Sequence, residues 1–149
     1  MNPVLNHDFL DLIACFNQED VEYLVVGGYS VILHGYHRTT GDLDLWVNPT
    51  EMNYRRIVRA FDCFQMPVFD MTMDNFLNTE QMDVFRFGKP PVAVDLITVV
   101  KGLHFDEAYK NRKTSRLGNV DVALLSLNDL KVAKKTTNRP KDQDDLEHL

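Results

Sequence analysis

The sequence predicts a single α/β domain, and three observations support this prediction. Short apolar segments of strand length alternate with segments whose apolar residues recur at helical spacing. The 149 residues, 44% hydrophobic and 26% charged, suffice for one compact core but not comfortably for two. No repeat, low-complexity tract or linker divides the chain. We therefore expect residues 1–149 to form one domain.

The first third of the chain predicts two helices and two strands in alternation. In order, they cover residues 8–17, 23–26, 29–34 and 42–47. The pair Gly27-Gly28 closes the first strand and opens the turn into the second helix. Gly35 marks the end of that helix, because glycine is common just past a helix C-terminus.

The remaining two thirds continue the alternation. Apolar periodicity and turn residues predict helices over 51–64, 106–111, 129–136 and from 140, and strands over 83–87, 92–99, 114–117 and 120–125. The first two of these strands could pair as a hairpin, and Gly118-Asn119 is typical of a hairpin turn between the last two. Residues 66–82 are irregular, and a short strand, a substrate-facing loop and a flap all stay open.

Charge and cysteine content limit the class of protein. The net charge of −6 argues against general DNA binding, which depends on many Lys and Arg contacts to phosphates. Cys15 and Cys63 lack metal-type spacing, and we expect buried, reduced thiols. The N-terminus has no signal-peptide pattern and no stretch approaches the ~18 apolar residues of a spanning helix. These features predict a cytoplasmic protein without a membrane partner.

Two aspartates mark the predicted second strand. Asp42 and Asp44 are two residues apart and therefore project to one side, while Leu43, Leu45 and Val47 face the other. Paired carboxylates on an apolar strand are costly, because like charges and burial both disfavour ionisation. A hard divalent cation such as Mg²⁺ would offset that cost, since it prefers oxygen ligands.

The glycine pair ahead of the second helix fits the same chemistry. Gly27 and Gly28 would let a phosphate approach backbone amides at a helix start. An ordinary tight turn between strand and helix explains the glycines equally well when they are considered alone.

Together these features resemble a known signature. The motif VGG at residues 26–28, followed after thirteen residues by DLD at 42–44, resembles the signature of the polymerase-β-type nucleotidyltransferase superfamily. Members carry a third carboxylate on a later strand, and Asp95 matches that position in the segment PVAVDLI. The resemblance implies a nucleotidyltransferase fold, in which helices pack on a small mixed sheet.

The C-terminal third extends the resemblance. The segment LSLNDL at residues 125–130, then Lys134 and the block RPKD at 139–142, is similar to small bacterial members related to AbiEii-type toxin nucleotidyltransferases. Such relatives imply a link to a toxin–antitoxin system. The resemblance runs from about Tyr23 to the C-terminus.

The resemblance implies transfer of a nucleoside monophosphate from a nucleoside triphosphate, such as ATP, to an acceptor hydroxyl with release of pyrophosphate. The implied catalytic residues and ligands of Mg²⁺ or Mn²⁺ are Asp42, Asp44 and Asp95. The implied nucleotide-binding residues are Gly27, Gly28, Ser30, Arg38, Lys134, Arg139 and Asp142. The acceptor stays open between an RNA such as a tRNA end, a protein and a small molecule.

Simpler interpretations stand beside these assignments. Arg38 could equally shape its loop, Asp142 could cap the last helix, and Asp95 could be a charge at a strand end. A second class of function is a catalytically silent nucleotide-binding or partner-binding module. The three aspartates weigh against that alternative, because without a cation they would only destabilise the fold.

Overall fold

The computed structural model describes residues 7–36, 38, 40–88 and 93–149. Within them, six strands form one mixed sheet and seven helices pack on it, which confirms the predicted fold class. The strands are β1 (Tyr23–Val26), β2 (Leu43–Val47), β3 (Val84–Phe87), β4 (Val94–Ile97), β5 (Lys113–Leu117) and β6 (Val120–Leu124). The helices are α1 (His7–Gln18), α2 (Gly27–Leu33), α3 (Glu51–Phe64), α4 (Met73–Leu77), α5 (Phe105–Lys110), α6 (Leu127–Thr137) and α7 (Pro140–His148).

The order of the strands places the aspartate strand at the centre of the sheet. The spatial order is β3-β4-β2-β1-β6-β5. Strand β2 runs antiparallel to β1 and parallel to β4, and its Asp44 is in register with Asp95 of β4. The edge strands β3 and β5 pair antiparallel with β4 and β6. Two residues from distant parts of the chain therefore lie side by side on neighbouring strands.

The sheet separates two apolar cores. Helices α1, α3 and α4 cover one face, where strand residues such as Leu45 and Leu96 are fully buried. Helices α2, α5 and α6 contribute to the core on the other face, together with Trp46. Because side chains alternate along a strand, Asp44 and Asp95 belong to the second face. The predicted separation of Leu43 and Leu45 from the aspartates is confirmed.

Most predicted elements are present, with shifted ends. Helix α2 begins at Gly27 rather than Tyr29, because Val26 is already the extended residue that precedes the helix. The open segment 66–82 contains α4, whose first turn is capped by the Thr72 side chain. Residue 92 of the predicted strand 92–99 lies outside the described residues. In the described part of the chain, the helices are too short or too polar to cross a bilayer.

The expectation of two reduced, buried thiols is wrong. Cys15 of α1 and Cys63 of α3 form a disulfide, with their Cα atoms 5.9 Å apart, and Cys63 is exposed. The two helices pack against each other on one face of the sheet. The two cysteines are 48 residues apart in the sequence, and no sequence pattern predicted that they would lie close together.

Candidate active site

The structure brings the three predicted aspartates together around an arginine. Asp42 directly precedes β2, and Asp44 and Asp95 lie in register on β2 and β4. Arg86 of β3 contacts Asp42 and Asp95. Its Nη2 lies 2.7 Å from Asp42 Oδ2 and 3.0 Å from Asp95 Oδ2, and its Nε lies 3.0 Å from Asp95 Oδ1. The cluster therefore contains its own cation, which sequence analysis did not identify.

Asp44 is the least favourably placed carboxylate of the cluster. Burial is the largest cause that raises its pKa to about 6, and the charges of Asp95 and Asp42 add to the increase. Lys141 and Arg86 oppose it only in part. Gly27 lies so close to Asp44 that a Cβ atom there would collide with the carboxylate. Gly27 also has φ = +68°, so both space and backbone conformation require glycine at this position.

The donor chemistry of the cluster fits a divalent cation. Three carboxylates supply the hard oxygen ligands that Mg²⁺ prefers, and the charges of Asp95 and Asp42 add to the burial that raises the pKa of Asp44. Arg86, however, occupies oxygens of both Asp42 and Asp95. Among the residues that the structure describes, no group of three acidic, histidine or cysteine side chains is already arranged around an ion position. An ion that used those oxygens would compete with the guanidinium.

The second predicted glycine is crowded by the chain's own side chains. A Cβ atom on Gly28 would collide with Thr40 and approach Arg38. The fully buried Ser30 hydroxyl donates to the Gly27 carbonyl at 2.6 Å. These contacts give Gly28 and Ser30 structural roles in the first turn of α2, and their contact with a phosphate stays a prediction.

Lys134 is held in a buried ionic network. Its Nζ lies 3.2 Å from Asp142 Oδ1 and 3.1 Å from Asp145 Oδ2, and both carboxylates are fully buried. Arg38 reaches the same network, with Nε 2.8 Å from Asp145 Oδ1. The network therefore connects α6, α7 and the loop before β2. Sequence analysis did not select Asp145, although it lies three residues from Asp142 on the same side of α7.

Asp142 also caps the last helix. Its Oδ2 accepts hydrogen bonds from the backbone N–H and Nε of Arg139, at 3.1 and 2.8 Å. Burial alone would raise the pKa of Asp142, but hydrogen bonds from Arg139, Thr137 and Lys134 outweigh it and hold the pKa well below its usual range. Asp142 is thus the cap that the simpler interpretation predicted and, in addition, a fixed anion beside Lys134.

An open cavity of about 350 Å³ joins the two groups of residues. Its lining includes Gly27 and Asp44 from the aspartate cluster and Lys134 and Arg139 from the C-terminal helices. Apolar side chains complete the lining, among them Val26, Ile97, Val100, Leu125, Leu130 and Ala133. The cavity is therefore bordered by an apolar surface, by the three carboxylates of Asp44, Asp83 and Asp142, and by the three cationic side chains of Lys101, Lys134 and Arg139.

Arg86 is the main residue that sequence analysis missed. The predicted hairpin of β3 and β4 places Arg86 directly across from Asp95, and this pairing was the available signal. The register of that hairpin depends on the connection between the strands, part of which lies at residues 89–92, outside the described residues. Without the register, the sequence cannot pair a particular arginine with a particular aspartate.

Comparisons with known proteins agree on the fold. A family model described as "Nucleotidyltransferase of unknown function (DUF6036)" matches residues 9–149. A crystal structure of a candidate nucleotidyltransferase from Thermotoga maritima aligns with a TM-score of 0.60 and 15% identity, covering 92% of this chain and 86% of that one. At this identity, the likeness supports the fold alone. A search of curated proteins found no match.

Proposed function

This chain belongs to the family of nucleotidyltransferases of unknown function, DUF6036, and on that premise we propose that it transfers a nucleoside monophosphate from a nucleoside triphosphate to an acceptor hydroxyl. The proposal rests on one observation: Asp44, Lys134 and Arg139 line the same cavity. This chemistry requires carboxylates for a cation and cations for a triphosphate; one carboxylate of the aspartate cluster, Asp44, lines the same space as Lys134 and Arg139.

Asp42, Asp44 and Asp95 would hold Mg²⁺ or Mn²⁺. A bound ion of this kind supplies positive charge to phosphate oxygens and favours ionisation of the acceptor hydroxyl. Asp95 is also suited to accept the proton of that hydroxyl. The acceptor oxygen then bonds to the α-phosphorus, and the bond from that phosphorus to the bridging oxygen breaks, so that pyrophosphate leaves with the electron pair.

Lys134 and Arg139 would bind the triphosphate. Lys134 has three N–H donors, and its contacts with Asp142 and Asp145 leave one for a phosphate oxygen. Arg139 is held by Asp142 yet its side chain is 63% exposed at the cavity. Their positive charge would stabilise the negative charge that develops on the departing pyrophosphate. Because Asp145 already binds Arg38, we assign Arg38 a positioning role first and phosphate binding second.

Gly27, Gly28 and Ser30 would receive phosphate oxygens through backbone amides and a hydroxyl. The acceptor hydroxyl would belong to an RNA such as a tRNA end, a protein or a small molecule, and a toxin–antitoxin setting and ATP as donor come from the resemblance. We also propose a cytoplasmic location, for which the Cys15–Cys63 disulfide is atypical.

A second candidate function is a catalytically silent nucleotide-binding module, and Arg86 favours it. The guanidinium neutralises part of the charge on Asp42 and Asp95. The cluster therefore has a cation even without a metal, which removes the objection that the aspartates would only destabilise such a module.

Incubation of the pure protein with labelled nucleoside triphosphates, Mg²⁺ or Mn²⁺, and total RNA or cell lysate distinguishes the two functions. An enzyme labels an acceptor, and Asp44→Ala abolishes the label. Thermal melts measure binding separately: metal and nucleotide at a hundredfold their dissociation constant stabilise the fold by about 2.7 kcal/mol. A melting shift without labelling supports the silent module, and the absence of both overturns both functions.

A further inference from the structure

We infer that Arg86 is a positioning residue that occupies the carboxylate site in the absence of a divalent cation and competes with that cation for Asp42 and Asp95. The inference rests on the proposed function, because it concerns the same carboxylates. It adds that the cation binds by displacing a side chain of this chain rather than by entering a vacant cluster.

Arg86 bridges the carboxylates of Asp42 and Asp95, and we refer to this bridge as the clamp. Two nitrogens of the guanidinium contact the two oxygens of Asp95, and one of them also contacts Asp42. Paired contacts between guanidinium and carboxylate are among the strongest and most directional hydrogen bonds in proteins. Arg86 and Asp95 are cross-strand partners in the β3–β4 hairpin, so the sheet itself sets their proximity.

The clamp satisfies only part of the cluster. Arg86 brings one positive charge to three carboxylates, and its hydrogen bonds reach Asp42 and Asp95. In the described part of the chain, Asp44 takes part in neither a hydrogen bond nor an ion pair with Arg86. A divalent cation brings twice the charge and can be shared by carboxylates on both strands. The cluster therefore gains from the exchange of guanidinium for cation.

Arg86 can leave without disrupting the core. Its side chain is 52% exposed, and it projects from the edge strand of the sheet. The guanidinium would therefore exchange its carboxylate contacts for water. The carboxylates of Asp42 and Asp95 are 34% and 13% exposed, so each ion pair is worth more than a fully exposed one. We expect the two pairs together to weaken cation binding by about tenfold, which corresponds to ~1.4 kcal/mol.

Calorimetric titration of the nucleotide-free protein with MnCl₂ and MgCl₂ tests the inference. We expect Arg86→Met to bind the cation about tenfold more tightly than the natural chain. Lys141→Met is the matched control, because Lys141 is exposed and lowers the pKa of Asp44 by its charge alone. It removes one positive charge near the cluster without removing a contact, and we expect less than about a threefold change.

The titration results distinguish failure of the clamp from failure of the proposed metal site. Equal tightening by Arg86→Met and Lys141→Met would overturn the clamp, since general charge would then explain the effect. Absence of cation binding by every variant would overturn the metal site of the proposed function itself. Arg86→Lys keeps the charge but loses the paired contact, so a cation affinity between those of the natural chain and Arg86→Met supports the clamp. This variant also provides the test if Arg86→Met fails to fold.

Discussion

Asp44 should destabilise the metal-free fold, and Asp44→Asn should remove that cost. The substitution keeps the shape of the side chain and removes its charge. A pKa that rises from its ordinary value of 3.8 to about 6 on folding corresponds to about 3 kcal/mol once the carboxyl is ionised in both states. This value is an upper limit, because solvent reaches the half-buried carboxyl and screens its charge.

The sign of the effect follows from the direction of the pKa shift. Below pH 3.8 Asp44 is protonated in both the folded and the unfolded chain, so the substitution changes little. Between pH 3.8 and about 6 the unfolded chain ionises first, and the penalty on the folded state grows. Above pH 6 the penalty is complete. Asp44→Asn should therefore gain less than about 1 kcal/mol at pH 4 and up to about 3 kcal/mol at pH 8.

Urea denaturation in EDTA at pH 4 and pH 8 measures this difference. Asp70→Asn, at an exposed position, is the control for a change of one surface carboxylate and should show no comparable increase between the two pH values. If Asp44→Asn is no more stable than the natural chain at pH 8, or if its advantage is the same at both pH values, the explanation of the Asp44 environment is wrong.

Three further substitutions test other parts of the structure by the same unfolding assay. Lys134→Met should cost about 1.5–3 kcal/mol, because two buried carboxylates lose a charged hydrogen-bond donor while Asp142 keeps Arg139 and Asp145 keeps Arg38; a cost below 1 kcal/mol would contradict the network. Gly27→Ala should cost more than Gly118→Ala, since both have positive φ but only Gly27 also faces a carboxylate at contact; equal costs would contradict the close approach. Reduction of Cys15–Cys63 should cost up to about 4 kcal/mol for a loop of 48 residues, and Cys63→Ser should be insensitive to reductant; identical melting of the natural chain with and without reductant would contradict the disulfide.

Short-range sequence patterns predict the secondary-structure elements and the first two aspartates of the site, Asp42 and Asp44. The alternation of apolar residues predicted the strands, and the spacing of Asp42 and Asp44 predicted that both side chains project to one side, although Asp42 directly precedes β2. The parallel pairing of β2 with β4 is a long-range feature, and the sequence supplied Asp95 only through a family resemblance. The structure adds the register that sets Asp95 beside Asp44.

The rest of the site depends on contacts that no local pattern contains. Arg86 reaches the cluster because an edge strand pairs in one particular register. Lys134 looks like one of several lysines on a polar helix, yet it is buried because α7 packs two carboxylates against it. The disulfide between Cys15 and Cys63 likewise requires the packing of α1 on α3. Each is a tertiary contact between segments that the sequence predicts separately.

A crystal structure with Mn²⁺ and a non-hydrolysable nucleoside triphosphate tests the proposed metal and nucleotide site, since the anomalous signal locates the metal. We predict a manganese peak coordinated by Asp42, Asp44 and Asp95, with Arg86 withdrawn and the triphosphate in contact with Lys134. A nucleotide bound elsewhere, or a crystal in which Arg86 still bridges Asp42 and Asp95 at saturating Mn²⁺, would contradict the account.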